Sequence, residues 1–144
     1  MQNMKRKIFR IIDANFNRAR EGLRVCEEVA RFLLDSPSLT KDYKSLRHAL
    51  DAIIGSLPLS EMIASRDSRH DVGKGPTCLE NLRRNHADIL RANLGRVKES
   101  LRVLEEFLKL TSVKQSNHVK ALRFKVYEIE QRSIKKLETV RNTG

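Results

Sequence analysis

Between Ile8 and Leu34 the side chains Ile12, Phe16, Ala19, Leu23, Cys26, Ala30 and Leu33 recur at intervals of 4-3-4-3-4-3. That spacing keeps them on one stripe of an α-helix. It predicts a first helix over roughly Ile8 to Leu34, stopped by Asp35-Ser36-Pro37, because proline cannot continue a helix and biases the residue before it away from α. Thr40 reads as the N-cap of a second helix, in which Leu39, Tyr43, Leu46, Leu50 and Ile53 carry the stripe to about Ser56. A third helix is expected from about Leu79 to Leu110, with Leu90, Leu94, Val97, Leu101, Leu104 and Leu108 in phase. A fourth runs from about Gln115 to Val140 with Val119, Leu122, Val126 and Ile129 on its apolar side.

The third helix repeats the first. Ala14-Asn15-Phe16-Asn17-Arg18-Ala19-Arg20-Glu21-Gly22-Leu23-Arg24-Val25-Cys26-Glu27-Glu28 aligns with Ala92-Asn93-Leu94-Gly95-Arg96-Val97-Lys98-Glu99-Ser100-Leu101-Arg102-Val103-Leu104-Glu105-Glu106 at a constant offset of 78. Each copy is followed by a second helical pattern containing Leu-Arg, at Leu46-Arg47 and at Leu122-Arg123. One hairpin cannot bury its own stripe, but two can. The expected fold is therefore all-α: a single domain over residues 1–144, an antiparallel four-helix bundle with a pseudo-two-fold axis. Repeat one spans about 8–56, the connection 57–78 and repeat two about 79–140. A short helical turn near Leu59 to Ala64 is expected in the connection. The rest is a polar loop of roughly 13 residues, a length that marks functional or mobile segments.

Composition changes the picture in three places. Apolar residues make up 40% of the 144, enough for a core without disulfides or a structural metal, and there is no tryptophan. Cys26 lies on the apolar stripe and reads as a small core residue; with Cys78 it forms neither a disulfide framework nor a zinc spacing. The basic start, Met1 to Arg10, lacks the apolar stretch of a signal peptide, and no run reaches the roughly 20 apolar residues of a membrane span. A cytoplasmic protein is expected. Twenty-nine Lys and Arg against 18 Asp and Glu give +11, which points to anionic partners: nucleic acid, a membrane surface or phosphorylated small molecules.

Candidate chemistry sits where polar groups intrude on the apolar rows. The row Ile11, Asn15, Arg18, Gly22, Val25, Val29, Phe32 has its counterpart in Ile89, Asn93, Arg96, Ser100, Val103, Phe107, Leu110. Asn and Arg on such a row are costly without partners. Their repetition implies two equivalent polar pockets or one shared on the pseudo-axis. The next row carries Glu21, Arg24 and Glu28, matched by Glu99, Arg102 and Glu106. It is either an exposed ladder of ion pairs or a set of carboxylates that orient arginines or hold a divalent cation. Arg47 and Arg123 either point into the pocket or lie over its edge. His48 and His70 are weaker candidates. The stretch Arg66-Asp67 to Asp71-Val72-Gly73-Lys74-Gly75 joins basic groups, carboxylates and glycines, a mix suited to phosphate, with Asp67 or Asp71 able to ligate Mg²⁺. It is not a P-loop, lacking both the spacing and a preceding strand.

Taken in order, Ile11 to Val25, Arg66-Asp67 with Asp71-Val72-Gly73, Ala92 to Glu106, and Leu122-Arg123 with Tyr127-Glu128 resemble a known family. It is the small all-helical hydroxymethylpyrimidine-phosphate kinase family of thiamine biosynthesis, whose domain occurs alone or fused ahead of thiamine-phosphate synthase. The resemblance covers about Arg10 to Glu130. It implies transfer of the γ-phosphoryl of ATP, with Mg²⁺, onto hydroxymethylpyrimidine monophosphate. Such transfer relies on positioning and charge neutralisation. On that reading Arg18, Arg96, Arg66 and Asp67 serve the transfer itself. Asn15, Asn93, Arg24, Arg102, Arg47, Arg123, Asp71 and Gly73 bind substrate, and Glu21 and Glu99 are the metal candidates. The synthase barrel of the fused relatives is absent, so this stretch alone is not expected to make thiamine phosphate.

Two rival readings remain. A non-catalytic accessory domain of thiamine-phosphate synthase would use the same phosphate pocket without ATP. A nucleic-acid-binding protein would suit the charge, but aromatics are only 5% and many basic residues alternate with Glu at helical spacing. Self-association to complete a half-formed pocket is the remaining expectation on partners.

Overall fold

The computed structural model describes residues 2–75 and 82–143, with side chains described over 3–75 and 82–140. All regular structure among them is helical. Helix α1 spans Gln2–Glu28 and continues into a π-helical turn, Val29–Leu33. Then come α2 (Pro37–Gly55), the short α3 (Leu59–Ala64), α4 (His86–Leu108) and α5 (Val113–Thr143). The expected onset of the third helix at Leu79, like Cys78, lies outside the described residues. Leu82 to Asn85 precede α4 without helix, and the Asn85 side chain accepts a hydrogen bond from the Asp88 amide as its N-cap. The helix therefore starts later than expected.

The apolar stripes meet in one core. The named residues of α2, α4 and α5 are all buried, and α1 contributes Ile12, Ala19, Leu23, Cys26 and Ala30, with Phe16 packed at the edge. Two readings at the end of α1 are corrected. Leu33 is 52% exposed while Leu34 is buried. The π turn inserts one residue into the helical register, so the inward position passes from Leu33 to Leu34. Thr40 is not the cap of α2: Ser36 is, accepting from the Leu39 amide at 3.3 Å, with Pro37 in the first turn where its missing N–H costs nothing. The same cap recurs in the second copy, where the Ser112 hydroxyl accepts from the Gln115 amide. Asp35, between the π turn and the cap, takes φ 48°, a left-handed conformation that Asp tolerates better than most residues.

Cross-helix bonds fix the topology. Arg20 meets Asp51 and Glu27 meets Arg47, so α1 and α2 run antiparallel. Lys98 with Glu130 and Glu105 with Arg123 set α4 against α5 the same way. Tyr43 shares a 2.6 Å hydrogen bond with Ser133, and Arg132 pairs with Asp42, joining α2 to α5. Since α1 also packs on α4, the four long helices form a ring of antiparallel neighbours, α1-α2-α5-α4. The connection from α2 to α4 therefore has to travel from one end of the bundle to the other. It starts up the side of α1, where α3 packs and Met62 is buried.

One buried carboxylate holds each hairpin together. Glu27, 3% exposed, takes Arg24 at 3.0 Å and Arg47 at 3.3 Å; Glu105, 4% exposed, takes Arg102 at 3.5 Å and Arg123 at 3.0 Å. Arg24 and Arg102 also reach Glu28 and Glu106. The expected ladder of ion pairs is thus present on the exposed side, and the buried Glu27 and Glu105 extend it inward. Cys26 is fully buried beside this row, and burial pushes its thiol up to about 12, so it is inert at neutral pH.

α1 and α4 approach closely at Gly22, where a Cβ would stand 2.7 Å from Val97 Cγ2 and 3.2 Å from the Asn93 carbonyl oxygen. Gly22→Ala adds helix propensity worth about 1 kcal/mol but overpacks against a stiff β-branched side chain. A net loss of roughly 1–2 kcal/mol in urea unfolding is expected, most of it recovered by adding Val97→Ala. Glu27→Ala leaves Arg47 buried without its partner and is expected to cost ~3–5 kcal/mol, against less than ~1 for Arg24→Ala on the surface. Equal losses for the two variants would show that Glu27 does not organise the hairpin.

Candidate functional site

A cleft of about 600 Å³ opens along the outer face of α1, within the size range of small-ligand sites. Lys7, Arg10, Ile11, Ala14, Asn15 and Arg18 form its helical wall, at positions that return to one face every three or four residues. Arg66, Asp67, Ser68 and Asp71 from the connection form the other wall, with Asp13 below.

Asp13 is the anchor between the walls. It is 6% exposed, and both its oxygens accept from the Arg66 guanidinium, at 2.6 Å from Nε and 2.9 Å from Nη2. This fork-to-fork geometry fixes the guanidinium plane as well as its charge. The hydrogen bonds to Asp13 push the Arg66 pKa further up, so the group is a permanent cation. The sequence reading missed Asp13 because it falls between Phe9 and Phe16 on the apolar side, and its partner is 53 residues away.

Beyond Arg66 the connection folds on itself. Asp67 accepts from His70 Nδ1 and from the His70 amide, and these hydrogen bonds hold its carboxyl below the usual carboxylate range. Asp71 Oδ1 accepts from the Gly73 amide at 2.8 Å, an Asx turn. Asn15 satisfies itself locally: Nδ2 donates to the Ile11 carbonyl at 2.9 Å, and Oδ1 accepts from Arg18 at 3.4 Å. Among the described residues no salt bridge engages Lys7, Arg10 or Arg18. The cleft therefore offers three uncommitted cations, against carboxylates already tied to Arg66 and His70 or to a backbone amide. That arrangement is electrostatically suited to an anion.

The predicted residues divide into four groups. Asn15, Arg18, Arg66, Asp67 and Asp71 come together in this cleft, with Gly73 one turn further along. Asn93 and Arg96 do not line it. Asn93 repeats the local bond, donating to the Ile89 carbonyl at 2.8 Å, and Arg96 is exposed. The expectation of equivalent or shared pockets is corrected, because among the described residues the connection walls only the first copy. Arg24, Arg47, Arg102 and Arg123 are tied to Glu27 and Glu105. Glu21 lies apart from the cleft with Arg20, Arg24 and Arg47, in a smaller recess of about 360 Å³. Glu99 is exposed, and no cluster of three or more metal-ligating side chains occurs among the described residues.

No described helix is long and apolar enough to cross a membrane. The chain is similar to proteins named thiamine-phosphate synthase. That of Synechocystis sp. is 45% identical over 85% of this chain and 35% of its own length. That of Thermosynechococcus vestitus is 40% identical over 91% and 38%, and that of Rhodopirellula baltica 38% over 85% and 33%. The chain thus spans about a third of the length of the curated relatives it matches. No solved structure matches. The ThiD2 family matches residues 10–132, nearly the whole bundle together with the connection that walls the cleft. With the relatives, this places the chain: it belongs to the ThiD2 family of thiamine biosynthesis.

Proposed function

We propose that the α1 cleft binds hydroxymethylpyrimidine monophosphate and that the chain phosphorylates it with Mg-ATP, releasing the diphosphate and ADP. The observation that carries the binding half is the set of uncommitted cations, Lys7, Arg10 and Arg18, facing the Asp13-held Arg66 across a cleft of ligand size. An arginine fixed in plane by a buried carboxylate grips a phosphate without losing further side-chain freedom.

In the transfer, an oxygen of the bound monophosphate attacks the γ-phosphorus of ATP. The bond from that phosphorus to the β-bridging oxygen breaks, and ADP leaves. The acceptor oxygen is already ionised, so the residues serve to orient and to neutralise charge, with no strong base needed. Magnesium carried in with the nucleotide would supply further neutralisation of the phosphate charge. Such a magnesium needs only one or two protein carboxylates, and Asp67 and Asp71 on the cleft wall suit it better than Glu21 or Glu99. Asn15 would meet the pyrimidine edge.

A second reading draws on the relatives. Each is named thiamine-phosphate synthase, and the chain matches about a third of it. The names fit an accessory domain that holds the pyrimidine phosphate for a synthase better than they fit a kinase. Both readings share the cleft and differ in turnover.

A coupled ADP-release assay with Mg-ATP and hydroxymethylpyrimidine monophosphate separates them, with free hydroxymethylpyrimidine as control acceptor. Turnover with the monophosphate alone supports the kinase. Binding without turnover sinks it and leaves the accessory domain, and absence of both overturns the assignment. Arg66→Ala and Arg18→Ala are each expected to weaken binding of the monophosphate about 10- to 100-fold, the worth of a charge-assisted hydrogen bond. Asp13→Asn should fall between wild type and Arg66→Ala.

A further inference from the structure

The uncommitted cations of the α1 cleft do not sit together. Lys7 and Arg18 are eleven residues apart, about 16 Å along the helix at 1.5 Å per residue. Arg10 lies one turn from Lys7. Arg66 enters between the two ends, at the level of Asp13. Arg18 is kept at its own end by Asn15 Oδ1, at 3.4 Å. Arg10 acts at the other: the Asp67 carboxyl is held low first by its hydrogen bond from His70, and also by the charge of Arg10. Cations converging on one phosphate would crowd like charges, whereas cations spread along a wall follow a chain of phosphates or two phosphates in line.

Arg66 is the fixed point of that wall. Asp13 takes Nε and Nη2, and among the described residues no hydrogen bond engages Nη1. That nitrogen keeps two N–H donors for the cleft. In phosphoryl transfer the acceptor oxygen and the phosphorus it attacks must come within about 3–3.5 Å. Donor and acceptor phosphates therefore have to meet at one cation that holds still. The residues lining the cleft supply charge, a hydroxyl and an amide, but no ring on which a base could stack.

We propose that the cleft is divided at Arg66. The Arg18 and Asn15 end takes the pyrimidine monophosphate, and the Lys7 and Arg10 end is a triphosphate subsite that reads phosphate charge and not the base. The donor class is then any nucleoside triphosphate, or inorganic triphosphate itself. An oxygen of the monophosphate forms its bond to the terminal phosphorus, and the bond from that phosphorus to its bridging oxygen breaks. The electron pair leaves with the nucleoside diphosphate, or with pyrophosphate when the donor is inorganic triphosphate. The proposal rests on the kinase reading above and adds which end of the cleft takes the donor, and by what chemistry.

The test uses the full chain with ATP, GTP, CTP and inorganic triphosphate as donors, each with Mg²⁺. It is paired with calorimetric titration by inorganic triphosphate and by the pyrimidine monophosphate. The three nucleotides are expected to give kcat/KM values within about threefold of one another, and inorganic triphosphate to be consumed as well. Lys7→Ala and Arg10→Ala should each weaken triphosphate binding about tenfold, the worth of a charge-assisted hydrogen bond, and leave monophosphate binding nearly unchanged. Arg18→Ala should do the reverse, which separates these losses from a general loss of fold, and Arg10→Lys should recover part of the affinity. A preference for one nucleotide of about a hundredfold or more overturns the subsite in favour of a site that reads the base. Equal weakening of both ligands by Lys7→Ala and Arg10→Ala overturns it in favour of a single phosphate site, and failure of inorganic triphosphate to bind overturns it outright. If triphosphate binds through Lys7 and Arg10 but no donor is turned over, the division of the cleft stands and the kinase reading fails. If ATP is turned over and neither variant affects it, the kinase reading stands and the subsite fails.

Discussion

A carboxylate buried inside a helical hairpin has to be neutralised by something that cannot move away. Glu27 and Glu105 impose this requirement on each half of the molecule. Each is met from its own helix by an arginine three residues earlier, and from the neighbouring helix by Arg47 or Arg123. Apolar stripes alone tolerate sliding by a turn, because one leucine substitutes for another. A buried ion pair does not, since a shifted helix would leave a charge without its partner in low dielectric. The pairs thereby set the register of α1 on α2 and of α4 on α5. With Gly22 admitting close approach between α1 and α4, they place the outer face of α1 where the connection can cover it.

The cleft uses the same device across a longer loop. Asp13 is nearly buried and holds Arg66 in a bidentate grip, so a polar segment is fixed to the helix at one point rather than along its length. Among the described residues just beyond that point the hydrogen bonds are local: Asp67 binds His70, and Asp71 binds the Gly73 amide. A symmetric duplication acquires an asymmetric site in this way, because among the described residues the connection runs past only one copy.

Much of the bundle was legible in the sequence, since helix periodicity and the 78-residue repeat both survive in a single chain. The stripes of α2, α4 and α5 are buried as their spacing implied. The misreadings come from departures from regularity. Leu33 looked inward because a constant 3.6-residue period was assumed through a stretch that widens into a π turn. Thr40 looked like a cap because Pro37 was read as an ending, when it also opens the next helix. The site was half legible. Asn15, Arg18 and the Arg66–Asp71 stretch were found because polar groups on apolar rows and long polar loops stand out. Asp13, Glu27 and Glu105 were overlooked because their meaning lies in partners elsewhere in the chain. The one available signal was the doubled Glu-Glu at Glu27-Glu28 and Glu105-Glu106, in which the first member is buried and the second half-buried or exposed. Asn93 and Arg96 match Asn15 and Arg18 in sequence, yet no second connection walls them.

From Arg24 to Arg47 the first hairpin is two residues longer than the second is from Arg102 to Arg123. Both hairpins nevertheless close on a matching serine cap, with the Ser36 amide bonded to the Ala30 carbonyl and the Ser112 amide to its counterpart at Leu108. The surplus is taken up between those points, by the π turn and the left-handed Asp35. A difference of two residues is thus absorbed in the joint without disturbing either ion pair. Once lengths could differ without loss of register, the duplicated halves were free to drift apart in what they display, and a doubled gene could specialise each half separately while inheriting one scaffold.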